Sequence, residues 1–299
     1  MGQMLFVMLG LAGLAGLGAL MSDNDDAQPP DHDGFDMGER QLDEGTDGDD
    51  TMTGTEGDDA ITGLDGDDVI DGGAGDDMIW GGRGNDTVIA NPGDDLVYLG
   101  ADDDLYGEYD PGADEGNDTI IGGSGDDVII TNGGRHEVYG DDNPDDAFRR
   151  DDGASGHDEI YDNGGVVTVH GGRGDDLIWS PDDSDPDDRD ELYGGEGNDT
   201  IYAGGYDLVD GQDGNDVYVL RADASGPAEV VWGRGDRLEI ALPEGYSDDP
   251  ELELVQDGED VRVMIDGQNI ALLRDVRSED VPGIEFLTQD ELHTPPWVA

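Results

Sequence analysis

Between residues 45 and 98 the chain consists of six nine-residue units laid end to end without slippage: GTDGDDTMT, GTEGDDAIT, GLDGDDVID, GGAGDDMIW, GGRGNDTVI and ANPGDDLVY. In each unit the fourth position is Gly, the sixth is Asp (Asp50, Asp59, Asp68, Asp77, Asp86, Asp95) and the eighth is apolar (Met52, Ile61, Ile70, Ile79, Val88, Val97). A period of nine matches neither a helical stripe nor a simple alternating strand, so each unit has to join a turn to one very short strand.

The residue types say which part is which. Gly at the fourth position suits a bend with positive φ that turns its carbonyls inward. The three residues after the Asp are rich in Thr, Val, Ile, Tyr and Trp and favour a strand. In so short a strand only the middle side chain, at the eighth position, faces the interior. A carboxylate at fixed spacing together with exposed loop carbonyls is a hard-oxygen donor set of the kind calcium takes, with little nitrogen and no sulfur for a transition metal.

The units resemble the G-G-x-G-x-D-x-U-x nonapeptide of the RTX, or haemolysin-type, calcium-binding repeat family. The resemblance implies an all-β fold, a right-handed parallel β-roll (a β-solenoid) in which two units make one coil and each calcium ion sits between bends stacked on one edge. It implies that Asp59 and Asp77 face an ion on one edge, and Asp50 with Asp68, and Asp68 with Asp86, on the other.

The charge fits that expectation. Against 78 acidic residues there are 13 basic ones, all Arg, for a formal charge of −65. Such a chain repels itself when compact unless cations bind, and it is no partner for nucleic acid. Without Cys, neither disulfides nor a thiolate metal site hold it together.

In chain order, residues 1–21 form a hydrophobic segment whose stretch 4–21 is apolar throughout, long enough as a helix to approach the thickness of a membrane core. It reads as an export signal or an uncleaved anchor, although no Lys or Arg precedes it. RTX proteins commonly leave through a one-step (type I) exporter that reads a C-terminal signal, so this segment departs from the family pattern. Residues 22–44 read as an acidic disordered linker and 45–219 as the roll. Past Tyr98 the inward beat is expected at Leu105, Ile120, Ile129, Val138, Ile160, Val169, Ile178, Leu192, Ile201, Val209 and Tyr218, about eight coils and a rod on the order of 40 Å. Asp118, Asp127, Asp158, Asp176, Asp190, Asp199 and Asp216 hold the ligand position, whereas His136 and Val167 replace it, and those two bends are expected to bind no ion on that side. The irregular spacings fall in three Asp-, Pro- and Gly-rich stretches, 107–115, 140–153 and 180–189, which read as enlarged loops.

From about Leu220 alternating runs (EVVW, RLEIA, LELVQ, VRVMI, NIALL) indicate an antiparallel β cap over 220–288, with a tight turn at Asp266-Gly267 and a longer one at Asp257-Gly258. GDRLEI and DVRSEDV within it are similar to the capping and export region that follows RTX repeats. Residues 289–299 read as a tail.

The motifs of catalysis are missing from the sequence. His136-Glu137 is not followed by the second His of HExxH, the turn Gly122-Gly123-Ser124-Gly125-Asp126 does not complete G-x-S-x-G, and a chain without Lys carries no P-loop. Aromatic residues at the ninth position (Trp80, Tyr98, Tyr139, Tyr161, Trp179, Tyr193, Tyr202) face outward, either as an exposed row for a surface glycan or a neighbouring copy, or as strand formers on a flat sheet. The sequence thus describes a non-enzymatic, secreted or surface calcium-binding protein holding several ions. The alternatives are a structural or adhesive protein that assembles into a layer or filament and, less favoured, an enzyme acting on polysaccharide.

Overall fold

The computed structural model describes residues 41–107, 116–141, 154–181, 189–247 and 250–288. Among them every regular element is a strand, and no helix is long and apolar enough to cross a membrane. The hydrophobic segment 4–21, the linker up to residue 40, most of the three enlarged loops and the tail lie outside the described residues.

As far as Arg237–Ala241 consecutive strands alternate between two stacks, and with the C-terminal strands the sheets number 13 and 11 strands. Met78–Arg83 therefore pairs in parallel with Leu96–Ala101 in the larger sheet, and Val69–Asp71 with Thr87–Ile89 in the smaller. Two nonapeptides make one coil, so equivalent side chains stack: Ile61 beside Ile79 beside Val97, and Met52 beside Ile70 beside Val88. These eighth-position residues face each other across the coil and form one continuous cluster with their counterparts as far as Val209 and Tyr218. Each fully buried Ile, Val or Leu contributes roughly 1.5–3 kcal/mol, spread evenly along the axis.

The inward residue of the unit after Tyr98 is Tyr106, not Leu105. Tyr106 is buried in the core cluster and pairs with Val88 and Ile129, whereas Leu105 is half-exposed. The beat holds at nine there, and the acidic run Asp102-Asp103-Asp104 hides its register. A second correction concerns the linker, whose last residues form the strand Gln41–Glu44, paired in parallel with Asp59–Asp65.

The roll also runs further than its repeats. Ala228–Val231 and Arg237–Ala241 pair in parallel with Leu208–Asp213 and Val217–Arg221, so they add a coil and are not part of an antiparallel element. The antiparallel portion is the meander Leu252–Asp257, Asp260–Ile265 and Gln268–Arg274, whose last strand lies parallel to Ala228–Val231 and so continues the larger sheet. Glu285–Leu287 completes the smaller sheet beside Arg237–Ala241. Asp266 and Gly267 have φ of 49° and 81°, as the expected two-residue turn requires. The other turn is equally tight, since Asp257 pairs with Asp260. Val261, Val263, Ile265, Ala271 and Leu273 join the roll's core cluster, so the cap and the roll share one interior.

The ninth-position aromatics do not make an exposed row. Tyr161 is fully buried, and Tyr139 and Tyr202 nearly so. Along the larger sheet Tyr139, His170 and Tyr193 stack almost parallel, with centroids 4.8 and 5.0 Å apart. Their faces are turned to each other rather than outward.

Candidate metal centre

Each bend of the solenoid delivers its sixth-position residue to the inside of an edge, where it joins a column running along the axis. On the edge that leads into the smaller sheet, here the second edge, the column is Asp50, Asp68, Asp86, Asp104, Asp127, Asp158, Asp176, Asp199, Asp216 and Asp236. Every backbone N–H in this column but the last donates to the Oδ1 of the next residue, at 2.7–3.2 Å. On the first edge, leading into the larger sheet, the same bonds run from Asp59 to Asp77, Asp95 and Asp118 at 2.7–2.9 Å. There the Asp118 N–H donates to His136 Nδ1, and the ladder resumes from the Val167 N–H to Asp190 and from Asp190 to Asp207.

The ladder thus engages Oδ1 of each Asp it reaches, the column heads Asp50 and Asp59 instead accepting at Oδ2 from the Thr46 and Thr55 N–H, and elsewhere Oδ2 distinguishes the sites. On the second edge Oδ2 of Asp68, Asp86, Asp104, Asp127, Asp158, Asp176, Asp199 and Asp216 is buried with no hydrogen-bond partner. Eight buried, unpartnered anionic oxygens in a file are costly for a chain to hold on its own. Burial, reinforced by neighbouring carboxylates and opposed by the ladder N–H, pushes Asp104 and Asp158 up to about 9 and Asp86, Asp127 and Asp199 to about 7. Asp176 rises to about 6, and Asp68 and Asp216 are raised as well.

Beside all of these oxygens except that of Asp104, whose unit begins with Leu99, lies a first-position glycine. A Cβ on Gly171 would stand 2.5 Å from Asp176 Oδ2 and 2.5 Å from the Gly194 carbonyl oxygen of the next coil. Gly63, Gly81, Gly122, Gly140 and Gly194 are placed in the same way, and a Cβ on Gly211 would meet Asp216 Oδ2, so the absence of side chains leaves a cradle lined by carboxylate and, at all but Gly211, carbonyl oxygens. Among the described residues no three Asp, Glu or His side chains converge on one point. Carbonyls would therefore have to supply much of any metal's coordination, which suits calcium's taste for six to eight mixed oxygens.

A sequence profile described as RTX calcium-binding nonapeptide repeat (4 copies) matches residues 44–79, 72–106, 113–145, 152–185 and 187–218, more than half of the chain. The chain belongs to this family. No curated protein matches it. RTX membership makes calcium, as several ions per chain, the resident metal, and the second-edge cradles fit it in donor type.

The thirteen Asp residues expected from the RTX beat all lie in the two columns; Asp50, in the outermost coil, is half-buried and the others are buried. The edges divide as the resemblance implied, Asp59 with Asp77 on one and Asp50, Asp68 and Asp86 on the other. Three column members went unread. Asp104 was concealed by the misplaced beat, Asp207 by a unit one residue short, and Asp236 by lying beyond the repeats.

The fifth position was missed as well. Exposed Asp, Asn and His residues there form an outer ladder of opposite polarity: Asn85 N–H donates to Asp67 Oδ1 (3.0 Å), Asp126 to Asp103 (3.0 Å), Asp175 to His157 Nδ1 (2.7 Å) and Asn198 to Asp175 (2.7 Å). The signal was present in the recurrence of Asp or Asn before the sixth-position Asp. These N–H bonds lower the Asp175 carboxyl, the reverse of what happens to the inner column.

Proposed function

We propose that this protein is an extracytoplasmic, non-enzymatic calcium-binding β-roll whose folding is coupled to loading with calcium. The observation that carries this reading is the file of buried, unpartnered carboxylate oxygens from Asp68 to Asp216 beside glycine cradles. The residues assigned to the ions are the second-edge carboxylates Asp50, Asp68, Asp86, Asp104, Asp127, Asp158, Asp176, Asp199 and Asp216 and, at the start of the first edge, Asp59, Asp77 and Asp95, together with carbonyl oxygens of the bends. Bound calcium supplies positive charge between stacked carboxylates, and the chain supplies the spacing.

Extracellular calcium modules operate at about 10⁻⁴–10⁻³ M, far above cytosolic levels. RTX repeats occur in secreted proteins. A chain left open inside the cell and closed by calcium outside it fits export through a narrow one-step exporter. The test is thermal unfolding of the full chain. Saturating calcium raises the midpoint steeply over the chelated protein, whereas equal midpoints in calcium and chelator count against the reading. N-terminal mass measurement on protein from native cell fractions tests location and the fate of residues 1–21.

A structural role, with rods assembling into a layer or filament, draws support from one feature. The outermost strand of the larger sheet, Leu252–Asp257, is paired on one side only and leaves Val255 42% exposed. Calcium-dependent light scattering at constant folded content would support assembly, and its absence at high protein concentration would count against it.

A further inference from the structure

The two edges of the roll are not equivalent, and the difference lies in what meets the second carboxylate oxygen. On the first edge, from Asp118 onward, protein groups meet it. Asp118 Oδ2 lies 3.4 Å from the Tyr106 hydroxyl, which donates to it, and 3.1 Å from His136 Nδ1. His136 stands in the Asp column itself, with Nε2 against the Gly133 carbonyl. In the same stretch Ser180 Oγ donates to Asp190 Oδ2 (2.5 Å), and the Gly204 N–H donates to Asp207 Oδ2 (2.7 Å).

The first-position column points the same way. On the second edge it is Gly63, Gly81, Leu99, Gly122, Gly140, Gly171, Gly194 and Gly211, Leu99 being the one interruption. On the first edge Gly54 and Gly72 keep the cradle open at the start, but from Asp118 onward it is filled instead. Thr131, Asp162, Ser180 and Ala203 stack there in register, all buried, and Thr131 Oγ donates to Asp162 Oδ1 at 2.8 Å. Asp162 Oδ2 accepts from the Gly164 N–H (3.1 Å) and faces Ser180 Oγ (3.3 Å). A side-chain seam thus occupies the space that bare glycine leaves open on the other side.

We infer that calcium loads this roll asymmetrically, as a long file down the second edge and not at all on the first edge between Asp118 and Asp207, where Tyr106, His136, Ser180 and their partners form a calcium-independent seam. This deepens the calcium reading above and rests on it. It withdraws Asp118 and Asp190 from the ligands expected on sequence grounds, and it holds one edge of the C-terminal half closed, next to the cap, before any ion arrives.

The experiment is a calcium count on the full chain by equilibrium dialysis, with folded content followed by circular dichroism. Asp176→Asn, on the second edge, should lower bound calcium by at least one ion per chain, and Asp190→Asn, on the first, should leave the count unchanged. An equal loss in both overturns the inference while leaving calcium binding intact. If the unaltered chain binds no calcium, the parent reading falls and takes this one with it. Should Asp190→Asn fail to fold, anomalous scattering from crystals of the unaltered protein grown with strontium decides. Peaks along the second-edge column with none on the first edge between Asp118 and Asp207 support asymmetry, whether or not Asp59 to Asp95 also carry peaks, and a peak on the first edge between Asp118 and Asp207 refutes it.

Discussion

Asp127 donates its backbone N–H to Asp158 Oδ1 at 3.0 Å, although 31 residues separate the two in sequence. Between two uninterrupted nonapeptides on that edge the same bond joins residues 18 apart, as in Asp68 to Asp86. The column of inner carboxylates therefore passes the long insertion without losing register, so the stacked coil and not the loop sets the fold. Each column residue is both a rung holding two coils together and a buried anion, and the consequences of changing one depend on whether calcium is present.

Asp158→Asn should act in opposite directions in the two conditions. With calcium, losing one anionic ligand weakens the site by about 1.4 kcal/mol or more, roughly a tenfold rise in the calcium midpoint of folding. In chelator the same change removes a carboxyl that folding must either protonate or bury as a charge, while keeping an acceptor for the Asp127 N–H, and the thermal midpoint should rise. Melting curves in calcium and in chelator check both signs, and a fall in both conditions would show that the carboxylate is structural only.

Gly171→Ala should impair loading while leaving every ligand residue in place. The added methyl falls 2.5 Å from both Asp176 Oδ2 and the Gly194 carbonyl oxygen, within the oxygen cradle. Overpacking of this kind costs about 1–3 kcal/mol. Gly283→Ala, where a Cβ meets nothing within 4 Å, is the control and should leave the calcium midpoint unchanged.

Protons should partly substitute for calcium. In the calcium-free chain Asp104 and Asp158 lie near 9 when folded, and Asp86, Asp127 and Asp199 near 7. The unfolded value is about 3.9. Because these values are raised by folding, the folded state binds more protons. The stability they contribute is present in full below about pH 4 and is lost as pH climbs through about 7 to 9. Lowering the pH from about 8 to about 5 in chelator should thus increase β-sheet circular dichroism, and the calcium concentration needed for folding should rise as protons compete. A chelated spectrum that is flat or loses β signal over that range contradicts this.

Tyr218→Phe tests the junction between roll and cap. The Tyr218 hydroxyl accepts from the Gly211 N–H (3.1 Å) and stands within donating distance of the Val231 carbonyl (3.2 Å) and Asp236 Oδ2 (3.1 Å). Burial and the adjacent Asp236 hold its phenol well above the usual range, so it stays a neutral donor. Removing it strands the Gly211 N–H and should cost about 1–3 kcal/mol of stability. Bound calcium measured at saturation should not change.

The repeat made most of this architecture legible. A strict period with Gly, Asp and an apolar residue at fixed places allows one arrangement of turn, ligand and core, and Ile61, Ile79 and Val97 stack accordingly. Legibility failed where residue type no longer marked position. Three consecutive Asp residues left the register open at Tyr106, and a Tyr reads as an outward strand former as readily as an inward one. The strands Ala228–Val231 and Arg237–Ala241 look the same in sequence whether their neighbours run parallel or antiparallel; the partner decides, and it lies elsewhere in the chain. The first-edge seam was half visible, in that His136 and Val167 break the Asp column. That Thr131, Asp162 and Ser180 fill the cradle beside them depends on register across two insertions, which spacing alone does not supply.

The central claim is that calcium between stacked carboxylates is what lets so anionic a chain close into a roll. The direct measurement is a calcium titration of the fully chelated full-length protein, reading bound calcium and far-ultraviolet circular dichroism on the same samples. The account predicts that β-sheet signal and calcium uptake rise together, over about 10⁻⁴–10⁻³ M, to several ions per chain. A β-sheet spectrum already complete in chelator, or full β signal with no bound calcium, would contradict it.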